Sequence, residues 1–211
     1  MSHIEVAPGA FHLREYLLLK TQQSLAEQCR TLGAAADGFY RPRVRGGGQM
    51  RIDMMCLGRH WNARTYEYEA CRSDHDGRPV QPIPEVFTVL AVRIAAEVGM
   101  TIAPQVCIVN RYPPDGKLGL HQDKDEQKGT LDAGVPIVSV SLGDTARFLL
   151  GGLRRRDEVH TLLLASGDAF VMGGPARLRY HGVARLLPGT APGELGLQGR
   201  FNLTFRQYAV A

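Results

Sequence analysis

Apolar and polar positions alternate at two different periods along the chain, and the change between them divides it. Near the start, Leu13, Leu17 and Leu25 fall on one helical face, which predicts a helix ending before Gly33. After Pro82 and Pro84, residues Phe87, Leu90, Ile94 and Val98 recur at three- and four-residue spacing until Gly99. That pattern predicts a second helix, stopped by the glycine, with an apolar stripe that packs on a sheet. From residue 105 the period shortens, and QVCIVNRY, KLGLHQD, PIVSVSLG, ARFLLGG, VHTLLLA, DAFVMGG, RYHGVARLL and RFNLTFRQY read as eight strands. Asp115-Gly116, Gly143-Asp144 and Gly167-Asp168 supply turns between them, at the spacing of an antiparallel sandwich or jelly roll. The fold class is therefore α+β, with helices ahead of a β-rich body.

Residues 41–51, RPRVRGGGQMR, break this regularity, because four arginines with three consecutive glycines favour a mobile basic loop. Such a loop is either solvated or in contact with phosphate. Length and composition then narrow the class. At 211 residues, 44% hydrophobic and 22% charged, the chain fits one globular domain. No apolar run approaches the roughly 18 residues of a membrane span, and the N-terminus lacks the order of a secretory signal, so a cytoplasmic protein without a membrane partner is expected. A monomer is the default expectation. Cys29, Cys56, Cys71 and Cys107 are scattered without a C-x-x-C pair, which points to reduced thiols rather than a zinc or redox motif. The net charge of +4 gives a mild hint of a polyanionic partner.

The chemistry concentrates in the strand region. If KLGLHQD is a strand, His121 and Asp123 leave the same face while Gln122 points away. A second histidine on a neighbouring strand, with His181 in RYHGV the best candidate, completes a facial triad that leaves three coordination positions open for chemistry. The other histidines, His3, His12, His60, His75 and His160, read as structural or solvated. In RFNLTFR the polar Arg200, Asn202, Thr204 and Arg206 alternate with apolar Phe201, Leu203 and Phe205. If that polar face looks inward, its two guanidiniums need acidic partners, because buried unpaired charge is costly, and a small dicarboxylate satisfies them.

Taken together, NRYPPDGKLGLHQDKDE, PIVSVSLG, RYHGV and RFNLTFRQ resemble the AlkB family of iron- and 2-oxoglutarate-dependent nucleic-acid dioxygenases, most closely its bacterial DNA-repair members. The resemblance implies a double-stranded β-helix over about 105–207, with residues of about 40–80 forming a nucleotide-recognition lid. It implies that His121, Asp123 and His181 hold Fe(II), that Arg200 secures the distal carboxylate of 2-oxoglutarate with Tyr112 and Asn202, and that Asn110 and Arg206 lie near its chelating end. It further implies that O2 and 2-oxoglutarate are consumed to give succinate and CO2, while an N-methyl group is hydroxylated and lost as formaldehyde. The implied substrates are 1-methyladenine and 3-methylcytosine in single-stranded DNA, with double-stranded DNA or RNA as further partners; a paired base must first be flipped out. Both lesions are cationic, so an aromatic face and a carboxylate suit them, and Trp61 and Asp125 match those roles. Tyr66 and Tyr68 correspond to lid tyrosines, of which Tyr66 is the better phosphate contact. Two features depart from the bacterial pattern: Met172 replaces a tryptophan, and the Trp61–Tyr66 stretch is about two residues short. The same chemistry on RNA or protein, and a jelly-roll binding module without turnover, are the competing readings.

Overall fold

Strand β13 (Arg200–Arg206) shows how the sequence sorts its residues. Its phenylalanines and Leu203 face one way, into a core built with the helices, while Arg200, Asn202, Thr204 and Arg206 face the opposite way, into the molecule's central cavity. The computed structural model describes residues 3–35 and 38–210. In it, β13 pairs antiparallel with β6 (Val106–Tyr112) and β8 (Ile137–Gly143) at the centre of a seven-stranded sheet. The sheet extends through β11 (Ala169–Met172), β2 (Ala10–Leu13) and β1 (His3–Ala7) on one side and β3 (Asp53–Leu57) on the other.

A smaller sheet faces it, in the order β10 (His160–Leu164), β9 (Thr145–Leu150), β12 (His181–Leu187) and β7 (Leu118–His121). Ile137, Phe148, Phe170, Met172 and Val183 fill the space between the sheets, so the inner layer is apolar at one end and polar around the β13 arginines. Helices α1 (Leu19–Ala34) and α2 (Glu85–Glu97) cover the outer face of the large sheet, where Leu25, Phe87 and Ile94 pack on Val138, Leu203 and Phe205. A short α3 (Lys128–Asp132) follows the charged stretch after β7. The two-sheet jelly roll with few helices is the expected fold class, and all eight predicted strands form. Among the described residues no helix is long and apolar enough to cross a membrane.

The first third departs from the sequence reading. Leu13 belongs to β2 and pairs with Ala169 of β11, and Leu17 precedes α1, so the three-leucine stripe is not one helix. Nor does Gly33 stop α1, which continues to Ala34; a Cβ at Gly33 would stand 2.3 Å from the Phe39 ring, so the glycine makes room for packing. Gly99, with φ +70°, does end α2 as its position predicts. The 41–51 segment contains no named strand, yet it is not free: Val44 N–H donates to Gly48 O at 2.8 Å and Met50 N–H to Pro42 O at 3.0 Å, closing a small hairpin. A second hairpin, β4 (His60–Asn62) with β5 (Glu67–Glu69), stands beside it. Asn62 Oδ1 accepts from the amides of Arg64 and Thr65, which shapes its turn, and Tyr66 closes the turn at φ +63°.

Candidate active site

β12 brings His181 directly opposite His121 of β7, and the two rings sit 4.4 Å apart between centroids. Asp123 joins them although β7 ends at His121, so strand alternation does not place it. The chain turns there, with Gln122 pulled outward by a 2.6 Å bond from its Nε2 to Leu178 O. Asp123 Oδ1 lies 3.7 Å from His121 Nε2, and its Oδ2 lies 3.6 Å from His181 Nε2. One donor atom from each of the three residues lies within 4.8 Å of the others.

Both imidazoles are held through their far nitrogens. His121 Nδ1 is 2.9 Å from Gly119 O and His181 Nδ1 is 3.0 Å from Arg179 O, so a proton on Nδ1 leaves each Nε2 lone pair aimed at the centre. Burial, together with the neighbouring His181, pushes His121 down to about 4, which keeps it neutral. Burial opposes ionisation of Asp123, but Arg206 and the two histidines outweigh it and hold the carboxyl well below its usual range. Two imidazole nitrogens and one carboxylate on one side of a buried point fit a divalent iron with open positions.

The triad separates two cavities. The inner one is lined by Tyr112, Asn110, Asn202, Arg200 and Arg206, and the outer one, of about 470 Å³, by Trp61, Tyr66, Asp125 and Arg155; both reach His121 and Asp123. Arg200 is 1% exposed and donates only to neutral acceptors: Leu164 O at 3.0 Å, Asp144 O at 3.3 Å and Ser141 Oγ at 2.5 Å. Its Nε has no partner, and burial lowers its pKa to about 10, which leaves it charged near neutral pH. The expected acidic partner is thus missing for Arg200 among the described residues. Arg206 is different: its Nη2 lies 2.7 Å from Asp123 Oδ2, and its Nη1 donates to Tyr68 Oη at 2.9 Å. The Asn202 amide is taken up by Ser139 Oγ and Val140 O.

On the outer side, Trp61 Nε1 donates to Asp125 Oδ2 at 2.8 Å, and Tyr66 stands 42% exposed with its ring 6.0 Å from the indole. Burial raises the Asp125 carboxyl, against the indole hydrogen bond. Tyr68 points the other way and is buried. It donates to Glu126 Oε1 at 3.0 Å, and Glu126 also takes Arg177 Nη2 at 2.7 Å. Arg177 in turn donates to the Asp123 carbonyl. The sequence reading missed Glu126 and Arg177. The run DKDE resembles a solvated turn, and only the alternation of Asp123 with Asp125 hinted that part of it faces inward.

Two histidines and a carboxylate inside a double-stranded β-helix, beside a buried cation, define a non-haem iron oxygenase site of the 2-oxoglutarate type. The comparisons agree with the geometry. The 2OG-Fe(II) oxygenase superfamily model matches residues 9–206. The alpha-ketoglutarate-dependent dioxygenase AlkB of Salmonella typhimurium is 39% identical over 97% of this chain and 92% of its own. The DNA N(6)-methyladenine demethylase ALKBH1C of Arabidopsis thaliana is 38% identical over 96% of this chain and 49% of its own. The solved structure of OsALKBH1 superposes with a TM-score of 0.92 at 38% identity, covering 98% of this chain and all of that one. The chain belongs to the 2OG-Fe(II) oxygenase superfamily and, within it, to the AlkB family. It spans about half the length of the plant relatives that it matches.

Proposed function

We propose that this chain oxidatively demethylates N-alkylated bases in nucleic acid, with 1-methyladenine and 3-methylcytosine in single-stranded DNA as substrates and RNA as a further one. Fe(II) held by His121, Asp123 and His181 supplies the oxidising power from O2 and 2-oxoglutarate. The hydroxylated methyl group leaves as formaldehyde, with succinate and CO2 as the other products. Arg200, Tyr112 and Asn202 bind and orient the cosubstrate, with Asn110 and Arg206 toward its chelating end. The lid of about 40–80 supplies Trp61 as a stacking face and Tyr66 as a phosphate contact, and Asp125 accepts from the exocyclic amine.

The observation that carries this reading is the pairing of cavities across the triad: a buried guanidinium, that of Arg200, bonded only to neutral acceptors on the inner side, and an indole tied to a carboxylate on the outer side. The first suits a dicarboxylate and the second suits a cationic base. Similarity to plant proteins named for N(6)-methyladenine favours a second substrate, a neutral base with its methyl on the exocyclic nitrogen. Formaldehyde and succinate release on oligonucleotides carrying one 1-methyladenine, 3-methylcytosine or N6-methyladenine tests both. Turnover on the cationic bases, lost in His121→Ala and His181→Ala with nucleic-acid binding retained, is the expected result. Full activity in His181→Ala would sink the assignment, and turnover confined to N6-methyladenine would transfer the function to the second substrate.

A further inference from the structure

We infer that α2 carries a second apolar face, turned to solvent, through which two copies of this chain pair antiparallel about a two-fold axis at Val89. The pairing departs from the default expectation of a monomer, and it does not depend on the reaction proposed above.

Phe87, Leu90, Ile94 and Val98 account for only one side of the helix, the side that packs on the large sheet. The opposite side holds Val86, Val89 and Val92, which are 48%, 43% and 43% exposed, with the exposed Ala96 about one turn further on. Nine large apolar side chains are exposed among the described residues, and three of them fall within this one stretch of α2. Single exposed apolar residues are ordinary, but a contiguous row marks a contact surface. α1 lies on the same face of the large sheet and shows what a helix with a wet outer side presents instead: it turns Lys20, Ser24, Glu27 and Thr31 to solvent. Valine facing solvent also weakens a helix relative to alanine or lysine, because its branched side chain loses rotamer freedom against the preceding turn. The isolated fold gains nothing from these three residues in return. A helix that is apolar on both sides is covered on both sides.

Charge selects the partner. Glu85 and Arg93 stand four residues before and after Val89, at the rim of the valine row. Both are exposed, and among the described residues neither has an opposite charge within ion-pair distance. Two copies of α2 laid antiparallel, with Val89 against Val89, set Val86 of each at the level of Val92 of the other and Glu85 of each at the level of Arg93 of the other. One two-fold axis thus joins the apolar rows and closes two identical ion pairs, the self-complementarity that an isologous interface requires. An in-register parallel pairing would instead set Glu85 beside Glu85 and Arg93 beside Arg93.

α2 lies on the outer face of the large sheet, whereas the triad and its two cavities lie on the inner side, so pairing leaves both active sites open. A contact along one helix of 13 residues falls at the small end of specific interfaces, below about 1,200 Å². The pair is therefore reversible, with a dissociation constant on the order of 10–100 µM.

Sedimentation velocity of the whole chain from about 1 to 300 µM tests the pairing. The wild type should move from monomer toward dimer across that range, while Val89→Asp stays monomeric throughout. Glu85→Arg and Arg93→Glu should each weaken association tenfold or more, because each sets like charges against one another at both ends of the row. Mixed in equal amounts, these two single variants carry opposite charges at both ends and should associate at least as tightly as the wild type. All four substituted side chains are exposed, so melting temperatures within a few degrees of the wild type accompany these results. A wild type that remains monomeric at 300 µM overturns the inference. So does association that persists unchanged in Val89→Asp, or a mixture of the two charge variants that associates no better than either alone.

Discussion

Arg200 and Arg206 leave the same face of one strand six residues apart, yet their surroundings make them different instruments. Arg206 is paired with Asp123 and bonded to Tyr68, with Glu126 nearby, so its charge is balanced inside the protein although its Nε also lacks a hydrogen-bond partner. Arg200 meets only carbonyls and a hydroxyl, with its Nε unused. A buried cation kept without a counter-charge costs stability, and the cost is offset when an anion arrives. Arg200→Gln therefore weakens 2-oxoglutarate binding, measured calorimetrically with Mn(II) in place of iron, by about 10- to 100-fold, the equivalent of about 1.5–3 kcal/mol for a charge-assisted hydrogen bond. Affinity for Mn(II) alone changes less than twofold. An equal loss of metal binding would show that Arg200 supports the triad rather than the carboxylate.

At the scale of elements, the site depends on how closely β7 approaches β12. The register sets His181 against His121, and the next residue, Gly182, lies against the other strand's backbone. A Cβ there would stand 2.7 Å from Leu118 O and 2.9 Å from Gly119 O, and backbone cannot swing aside as a flexible side chain can. Gly182→Ala should push β7 outward, carrying His121 and the Gly119 carbonyl that orients it. The expected outcome is a Mn(II) affinity at least tenfold lower, with a melting temperature reduced by only a few degrees; unchanged affinity would mean that the strands adjust without disturbing the site. The sequence could announce β7 and β12, because each alternates cleanly, but not their spacing, which lies between residues some sixty positions apart. The same division runs through the molecule. All eight C-terminal strands were legible from their period, whereas Leu13 was drawn into a helix by a chance match of spacing with Leu17. The triad's histidines were legible for the same reason, and Asp123 was found by a face argument that does not operate beyond the end of the strand. Glu126, Arg177 and the His60–Asp74 pair were not legible, because a charge gives no local sign of being buried.

Across the whole molecule, the triad draws on both sheets and, through its neighbours, on a hairpin. His121 and His181 belong to the small sheet, while Asp123 is clasped by Arg206 from the large one. Through Arg177 and Glu126, the Asp123 carbonyl is linked to Tyr68 on the β4–β5 hairpin. A metal bound at this point ties the small sheet, the large sheet and the hairpin together, and it binds the folded chain only, so occupancy must raise stability. At a free metal concentration about 100 times its dissociation constant, the gain is about 2.7 kcal/mol. For a chain of this size, with a shift of about 2–4 °C per kcal/mol, the melting temperature should rise by about 5–10 °C. Mn(II) serves as the probe, so the result does not depend on turnover. His181→Ala should abolish the rise. Glu126→Gln should behave oppositely: it strips a buried carboxylate from between Arg177 and Arg206 and so lowers the melting temperature without metal, yet it leaves all three donors in place and keeps most of the rise. If His181→Ala retained the full shift, the metal would be bound elsewhere, and the link from sheet to hairpin would be a feature of packing alone.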